Sequence, residues 1–324
     1  MTTPPTSKPR ATGASAAPAT GPAGEDVARP PGPAEEHTSP RPVGGRPSTV
    51  LTIVMLMCVA YFLLPLWWVF VASTKSNADL FSSFGLWFAD DFNLVQNLQD
   101  VFSSQGGVFA TWLRNSVLYA VVSAVGAAVL ATMAGYAFAM FRFPGRELLF
   151  SIILGAIMIP MTALAIPTYL LFSKVDLVNT MWAVILPSLV SPFGVYLMRV
   201  YAAGAVDSTL LEAARVDGAG EVRIFLSVVL RLLAPGFITV LLFQLVATWN
   251  NYFLPLIMLN SSDLYPLTVG LAQWQATSMA GSGSQALFST VITGAMVSII
   301  PLVVAFLFLQ RYWQSGLTTG GVKQ

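Results

Sequence analysis

The chain has 324 residues, 55% of them hydrophobic and 10% charged, where a soluble domain carries roughly a quarter charged, so its composition is that of a membrane protein. A net charge of +1 supplies no basic surface for nucleic acid. One histidine, His37, and one cysteine, Cys58, exclude a disulfide framework and a His/Cys metal cluster, and no catalytic constellation is present.

Residues 1–48 are rich in Pro, Ala, Gly, Ser and Thr and bury too little apolar area to offset the entropy of ordering, which predicts a disordered tail. The run TVLTIVMLMCVAYFLLPLWWVFVAS at 49–73 is long enough to cross a bilayer and reads as a span rather than a signal peptide. Within it Cys58 reads as a small buried hydrophobe. Further apolar windows lie at 115–138, 149–173, 180–198, 236–259 and 286–309, and none of the six windows contains Asp, Glu, Lys, Arg or His.

Because every charge lies in tails or connections, the positive-inside rule applies directly. With the amino terminus inside, only Lys75, Arg114 and Lys174 of the 16 Lys and Arg residues fall outside, so both termini are expected on the cytoplasmic face of the cell membrane. The first external loop, 74–114, is aromatic and acidic. The division that follows is a tail at 1–48, a first helix and external loop at 49–110, a core of five spans at 111–310 and a cytoplasmic tail at 311–324.

Prolines interrupt several spans: Pro160 and Pro167 in the third, Pro187 and Pro192 in the fourth, Pro255 in the fifth and Pro301 in the sixth. Each removes a helix donor and predicts a kink or unwinding, as in transport proteins whose irregular helices line a cavity. In the second span Gly126, Ala127, Ala128, Ala131, Ala134 and Gly135 allow close helix contacts. The fifth span gathers Gln244, Thr248, Trp249, Asn250, Asn251 and Tyr252. Aromatic rings and neutral amides can stack on and hydrogen-bond a polyhydroxyl solute, which makes these six the translocation-path candidates. The alternative is that they join helices or sit in the interfacial aromatic belt.

The longer internal loop, 199–235, contains EAARVDGAG at 212–220. Thr209 and Glu212 have capping-box spacing, which predicts a helix through about Val216. Gly218 suits a turn with a positive backbone angle. A second helix is expected from Glu221, with Val222, Phe225, Val229 and Leu232 as its apolar stripe and Pro235 opening the fifth span. The absence of titratable groups from the spans weighs against a proton-driven carrier. The chain has no G-x-x-x-x-G-K-[ST] phosphate loop, so nucleotide-driven transport requires an ATPase on another chain.

Glu212, Ala213, Ala214, Asp217, Gly218, Ala219, Phe225, Leu230 and Pro235 resemble the cytoplasmic loop signature of permease subunits from binding-protein-dependent ABC importers. LRNSVLYAV at 113–121, AGYAFAMFRFPG at 134–145, MIPMTALAIPTYLLF at 158–172, NTMWAVILP at 179–187, WNNYFLPLIML at 249–259 and QRYWQSGLTTGGVK at 310–323 are similar to the carbohydrate, maltose-permease-like branch. The resemblance implies an all-α polytopic fold of six transmembrane helices, the type I importer permease fold. It also implies a coupling loop in which Glu212 makes polar contacts in a cleft of the ATPase, Ala213 and Ala214 keep the helix thin, and Gly218 makes the turn alongside Asp217 and Ala219.

The expected assembly contains a second permease, two ATP-binding subunits carrying ATP and Mg, and an external solute-binding protein delivering carbohydrate across the lipid bilayer. This chain itself is expected to be no enzyme and to hold no cofactor. A polyol or glycerol phosphate is the alternative cargo, and an ion-coupled carrier the alternative mechanism. The chain departs from the family pattern at Arg231, where proline is usual.

Overall fold

The computed structural model describes residues 49–280 and 287–318, the last eight by backbone alone; the expected amino-terminal disorder lies outside these residues. The chain divides at Val54 into a leading unit, whose described part is Thr49–Val54, and a second unit from Met55 onward. All regular structure among the described residues is helical.

In chain order the elements are α1 (Thr49–Ser73), α2 (Asn77–Ser82), α3 (Leu94–Ser103), α4 (Val108–Met140), α5 (Arg146–Ile157), α6 (Ala165–Ser173), α7 (Trp182–Ser188) and α8 (Pro192–Ala205). They continue as α9 (Ser208–Val216), α10 (Glu221–Ile224), α11 (Leu230–Leu232), α12 (Ala234–Trp249), α13 (Phe253–Met258), α14 (Leu267–Met279) and α15 (Phe288–Thr318). Among the described residues four helices or helix pairs are long and apolar enough to cross a membrane, and two further bent pairs bring the total to as many as six.

The first helix touches the bundle only at its last turn, where Val71, Ala72 and Ser73 are buried. Cys58 is exposed, correcting its expected burial: among the described residues none buries the middle of α1. The connection after it is folded. Lys75 is 1% exposed, and its ammonium group donates to Ser83 Oγ (2.9 Å) and the Phe84 carbonyl (2.6 Å). Asn97 on α3 donates to the carbonyls of Ser73 (2.8 Å) and Lys75 (2.9 Å), fixing the end of α1 to α3. The loop expected on the outside ends at Gly107 rather than at residue 114, because α4 begins at Val108.

At the centre, α4 packs against both α8 and α12. Small residues make this contact: Ala127, Ala128, Ala131 and Gly135 are all buried. A Cβ on Gly135 would stand 2.7 Å from the Arg199 nitrogen and the Met198 carbonyl carbon, so backbone meets helix without an intervening side chain. Towards its other end, α4 presents a polar stripe at helical spacing. Trp112 donates to the Ser262 carbonyl, Asn115 to those of Asp263 and Tyr265, and Tyr119 to that of Leu264, while Ser116 accepts from the Leu267 nitrogen. These bonds satisfy backbone groups in the segment leading to α14, a helix that the hydropathy pattern does not mark.

The third apolar window is two limbs rather than one helix, bent by 100° at Met158–Pro160. Pro160 lacks the donor that would continue α5, and a short 3₁₀ turn, Met161–Leu164, leads into α6. The fourth window breaks more gently between Pro187, in the last turn of α7, and Pro192, the first residue of α8. The fifth window does not continue as one helix to residue 259: α12 stops at Trp249, and α13 follows a break at Asn250–Tyr252. By contrast Pro301 lies inside α15, whose backbone stays helical through Thr318, well beyond the apolar window.

Candidate coupling loop and translocation path

The loop at 199–235 folds as helix, turn, helix. The expected capping box is replaced by an earlier cap: Asp207 accepts from the Thr209 nitrogen at 2.9 Å, and α9 starts at Ser208. That bond holds the Asp207 carboxyl below its ordinary pKa. One face of α9 is anchored, with Leu211 buried at 2% exposure among Tyr136, Met198, Ala202, Ile224 and Leu233. Ala214 and Ala219 pack against the same cluster, so their small size serves the interior. Glu212, Ala213, Asp217 and Gly218 remain on the surface.

Gly218 has φ of 81°, a left-handed angle that closes the turn, and the Ala219 nitrogen donates back to the Ala214 carbonyl at 3.0 Å. Across this turn Arg215 Nε donates to Glu221 Oε1 at 2.7 Å and Nη2 to Oε2 at 3.3 Å. The hydrogen bond holds the Glu221 carboxyl below its usual range. Beyond Ile224 the chain makes one π-turn, Phe225–Val229, which inserts an extra residue per turn. Ile224, Val229 and Leu233 are fully buried; of the expected stripe, Val229 is buried and Phe225 and Leu232 pack partly buried against the same cluster, whereas Val222 is 74% exposed. Arg231 continues the helix through α11, and the path bends by 77° into α12.

The shorter internal connection braces the base of this loop. Arg199 on α8 lies over the Phe150 ring, 3.7 Å from its centroid, and its guanidinium approaches Glu147 at 3.5 Å.

The six path candidates occupy several environments. Gln244 donates to the Ser188 carbonyl at 2.7 Å, tying α12 to the end of α7. Thr248 is buried and its hydroxyl has no partner. Trp249 is packed with Val101, Phe109, Trp112, Leu267 and Trp274. Asn250 donates to the Val246 carbonyl of its own helix at 2.9 Å, whereas Tyr252 is 41% exposed.

Of the six, Asn251 alone lines the cavity of about 530 Å³ between the broken third span, the α7–α8 break and α13. Thr162, Thr168 and Ser188 supply further hydroxyls there, and Phe172 and Phe253 supply rings. Sequence reasoning missed these three hydroxyls because Thr and Ser in apolar runs commonly bond their own helix, as Thr168 and Ser188 do here. The available signal was their proximity to Pro160, Pro167 and Pro187. Among the described residues no group of three His, Cys, Asp or Glu side chains is placed to hold a metal.

Residues 127–318 match the family described as "Binding-protein-dependent transport system inner membrane component". The arabinooligosaccharides transport system permease protein AraQ of Halalkalibacterium halodurans is 35% identical, over 85% of this chain and 96% of that protein. The osmoprotective compounds uptake permease protein GgtD of Synechocystis is 32% identical over 84% and 91%. A chain in the crystal structure of a bacterial ABC transporter involved in the import of the acidic polysaccharide alginate shares the fold, with a TM-score of 0.70 over 82% of this chain and 95% of that one, at 23% identity.

Proposed function

Since the chain belongs to the family of inner-membrane components of binding-protein-dependent transport systems, we propose that it passes a sugar or oligosaccharide through the membrane in an ATP-driven importer. It is a multi-pass, non-catalytic permease subunit of the carbohydrate and polyol uptake branch of ABC importers. A maltose-permease-like placement within that branch is our finer reading.

In this reading the α9 end of the bundle and both termini face the cytoplasm. Two ATP-binding subunits hold the nucleotide and Mg, a second permease completes the pore, and an external solute-binding protein delivers the cargo. Glu212, Ala213, Asp217 and Gly218 meet the ATPase, while Ala214 and Ala219 hold the loop from behind. The observation that carries the assignment is the form of the loop: a short helix pinned by Leu211, whose polar face is left on the surface beside a preset turn.

Sugar is favoured over glycerol phosphate by the cavity at Asn251, which has no basic side chain in its wall to meet a phosphate. Relatives named for arabinooligosaccharide transport are 35% and 31% identical, whereas those named for sn-glycerol-3-phosphate transport reach 28–29%. Titration of the cognate binding protein with pentose oligosaccharides, other sugars, polyols and glycerol phosphate, followed by uptake into proteoliposomes of the whole complex, tests the reading. Binding and ATP-dependent uptake of an oligosaccharide support it; exclusive uptake of glycerol phosphate, or uptake by this chain alone down an ion gradient, refutes it.

A further inference from the structure

Two hollows beside the coupling loop share a wall. The first, about 690 Å³, lies between the loop-side end of α4 and the start of α12, with Val129, Met133, Phe225, Leu230 and Phe237 among its apolar walls. Thr132 and Tyr136 also line it; they are 1% and 5% exposed, and neither hydroxyl has a hydrogen-bond partner among the described residues. The second hollow is open and bears Arg223, Ser227 and Arg231. Glu221, Val222 and Leu226 border both.

The charge at the open hollow is uncompensated. Among the described residues no carboxylate lies within ion-pairing distance of Arg223 or Arg231, and Glu221 is already engaged by Arg215. Arg231 lies four residues before Pro235, in the first turn of the fifth span, so the basic pair sits beside the start of that span.

We infer that the two hollows together bind one anionic phospholipid, with its phosphate between Arg223 and Arg231 and an acyl chain in the α4–α12 cavity. A neutral sugar has neither the charge nor the apolar body for the pair, and an apolar helix from another subunit would leave the two guanidinium groups without a counter-charge. Because Glu221 lies in the shared wall and holds Arg215, the lipid buttresses the turn at Gly218. The departure from the family pattern at Arg231 thereby acquires a role. The inference concerns only what fills these hollows and is independent of the solute carried.

The test places the assembled importer in nanodiscs of phosphatidylcholine containing phosphatidylglycerol with a photoactivatable diazirine on an acyl chain. Labelling is expected in peptides covering 129–141 and 222–238. With each guanidinium near the surface contributing as expected for anionic lipid, affinity falls roughly 5-fold for R223Q or R231Q and about 30-fold for both, while R223K/R231K retains most of it. In the unaltered complex, excess unlabelled phosphatidylglycerol competes and phosphatidylcholine does not, a readout independent of variant assembly. Labelling absent from these peptides overturns the inference. So does labelling indifferent to lipid charge, or efficient cross-linking of M133C to a helix of another subunit.

Discussion

Arg215 and Glu221 close the turn of the proposed coupling loop by a two-point hydrogen bond, 2.7 and 3.3 Å, across the left-handed residue Gly218. The pair leaves the polar face of α9 unused and determines where α10 begins. Arg215→Gln and Glu221→Gln should therefore each release the turn without unfolding the spans. The expected outcome is several-fold weaker stimulation of the ATPase by loaded binding protein, with normal membrane insertion. A double-mutant cycle should show that the two losses are not additive.

The same pair predicts a pH response. Hydrogen bonding to Arg215 lowers the Glu221 pKa from its ordinary 4.5, and the Thr209 backbone bond lowers that of Asp207 from 3.8. A carboxylate whose folded pKa is depressed contributes stability fully above its unfolded value and loses it as pH falls through the folded value. The loop should thus be constant around neutrality and loosen only below about pH 4. A spin label at Val222→Cys should stay restricted at pH 7 and gain mobility in that acidic window; mobility changing between pH 6 and 8 would contradict this assignment.

Gly218→Ala should cost the loop about 1–2 kcal/mol because its backbone angle of 81° is left-handed. Gly218→Pro is incompatible with that angle altogether. Pull-down of the ATPase subunits should show weakened association for Ala and near-complete loss for Pro, with both variants still inserted. Full association of the proline variant would remove the turn from the coupling argument.

The spans were legible because no charge interrupts them, and the Gly218 turn because few residues other than glycine adopt its angle. Proline was an incomplete guide. Pro160 coincides with a 100° break, while Pro301 lies within a continuous helix. Losing one backbone donor does not by itself decide between a kink and a break; the neighbouring packing does. The α4 polar stripe was illegible for another reason: its partners are backbone carbonyls 145–150 residues away, invisible to any local pattern. At the loop, Asp207 caps α9 two residues earlier than Thr209 and Glu212 suggested, and across the π-turn the fully buried positions are Ile224, Val229 and Leu233 while Val222 faces outward.

Lys75→Met should loosen the connection between α1 and α3. Removing the buried ammonium takes the donor from the Phe84 carbonyl, a loss of about 1–3 kcal/mol, while Ser83 Oγ keeps its bond to the Asp79 carbonyl. Thermal unfolding of the purified complex should begin at lower temperature, and protease sensitivity should rise within 76–92. An unchanged digestion pattern would show that α3 and Asn97 hold this segment unaided.

Asn251 and Trp249 are two residues apart, and substitution separates conduction from packing. Trp249 is 9% exposed in an aromatic cluster, so Trp249→Ala should destabilise the fold by about 3–5 kcal/mol. Asn251 lines the cavity at the break of the third span, where its amide can meet a hydroxylated solute. If one hydrogen bond to the passing solute is lost, Asn251→Leu should reduce uptake roughly 2- to 10-fold while leaving the melting temperature of the complex near its original value. Solute titration against uptake rate, measured beside the thermal melt, distinguishes these effects. Equal loss of stability in both variants would place Asn251 with the packing residues and remove it from the path.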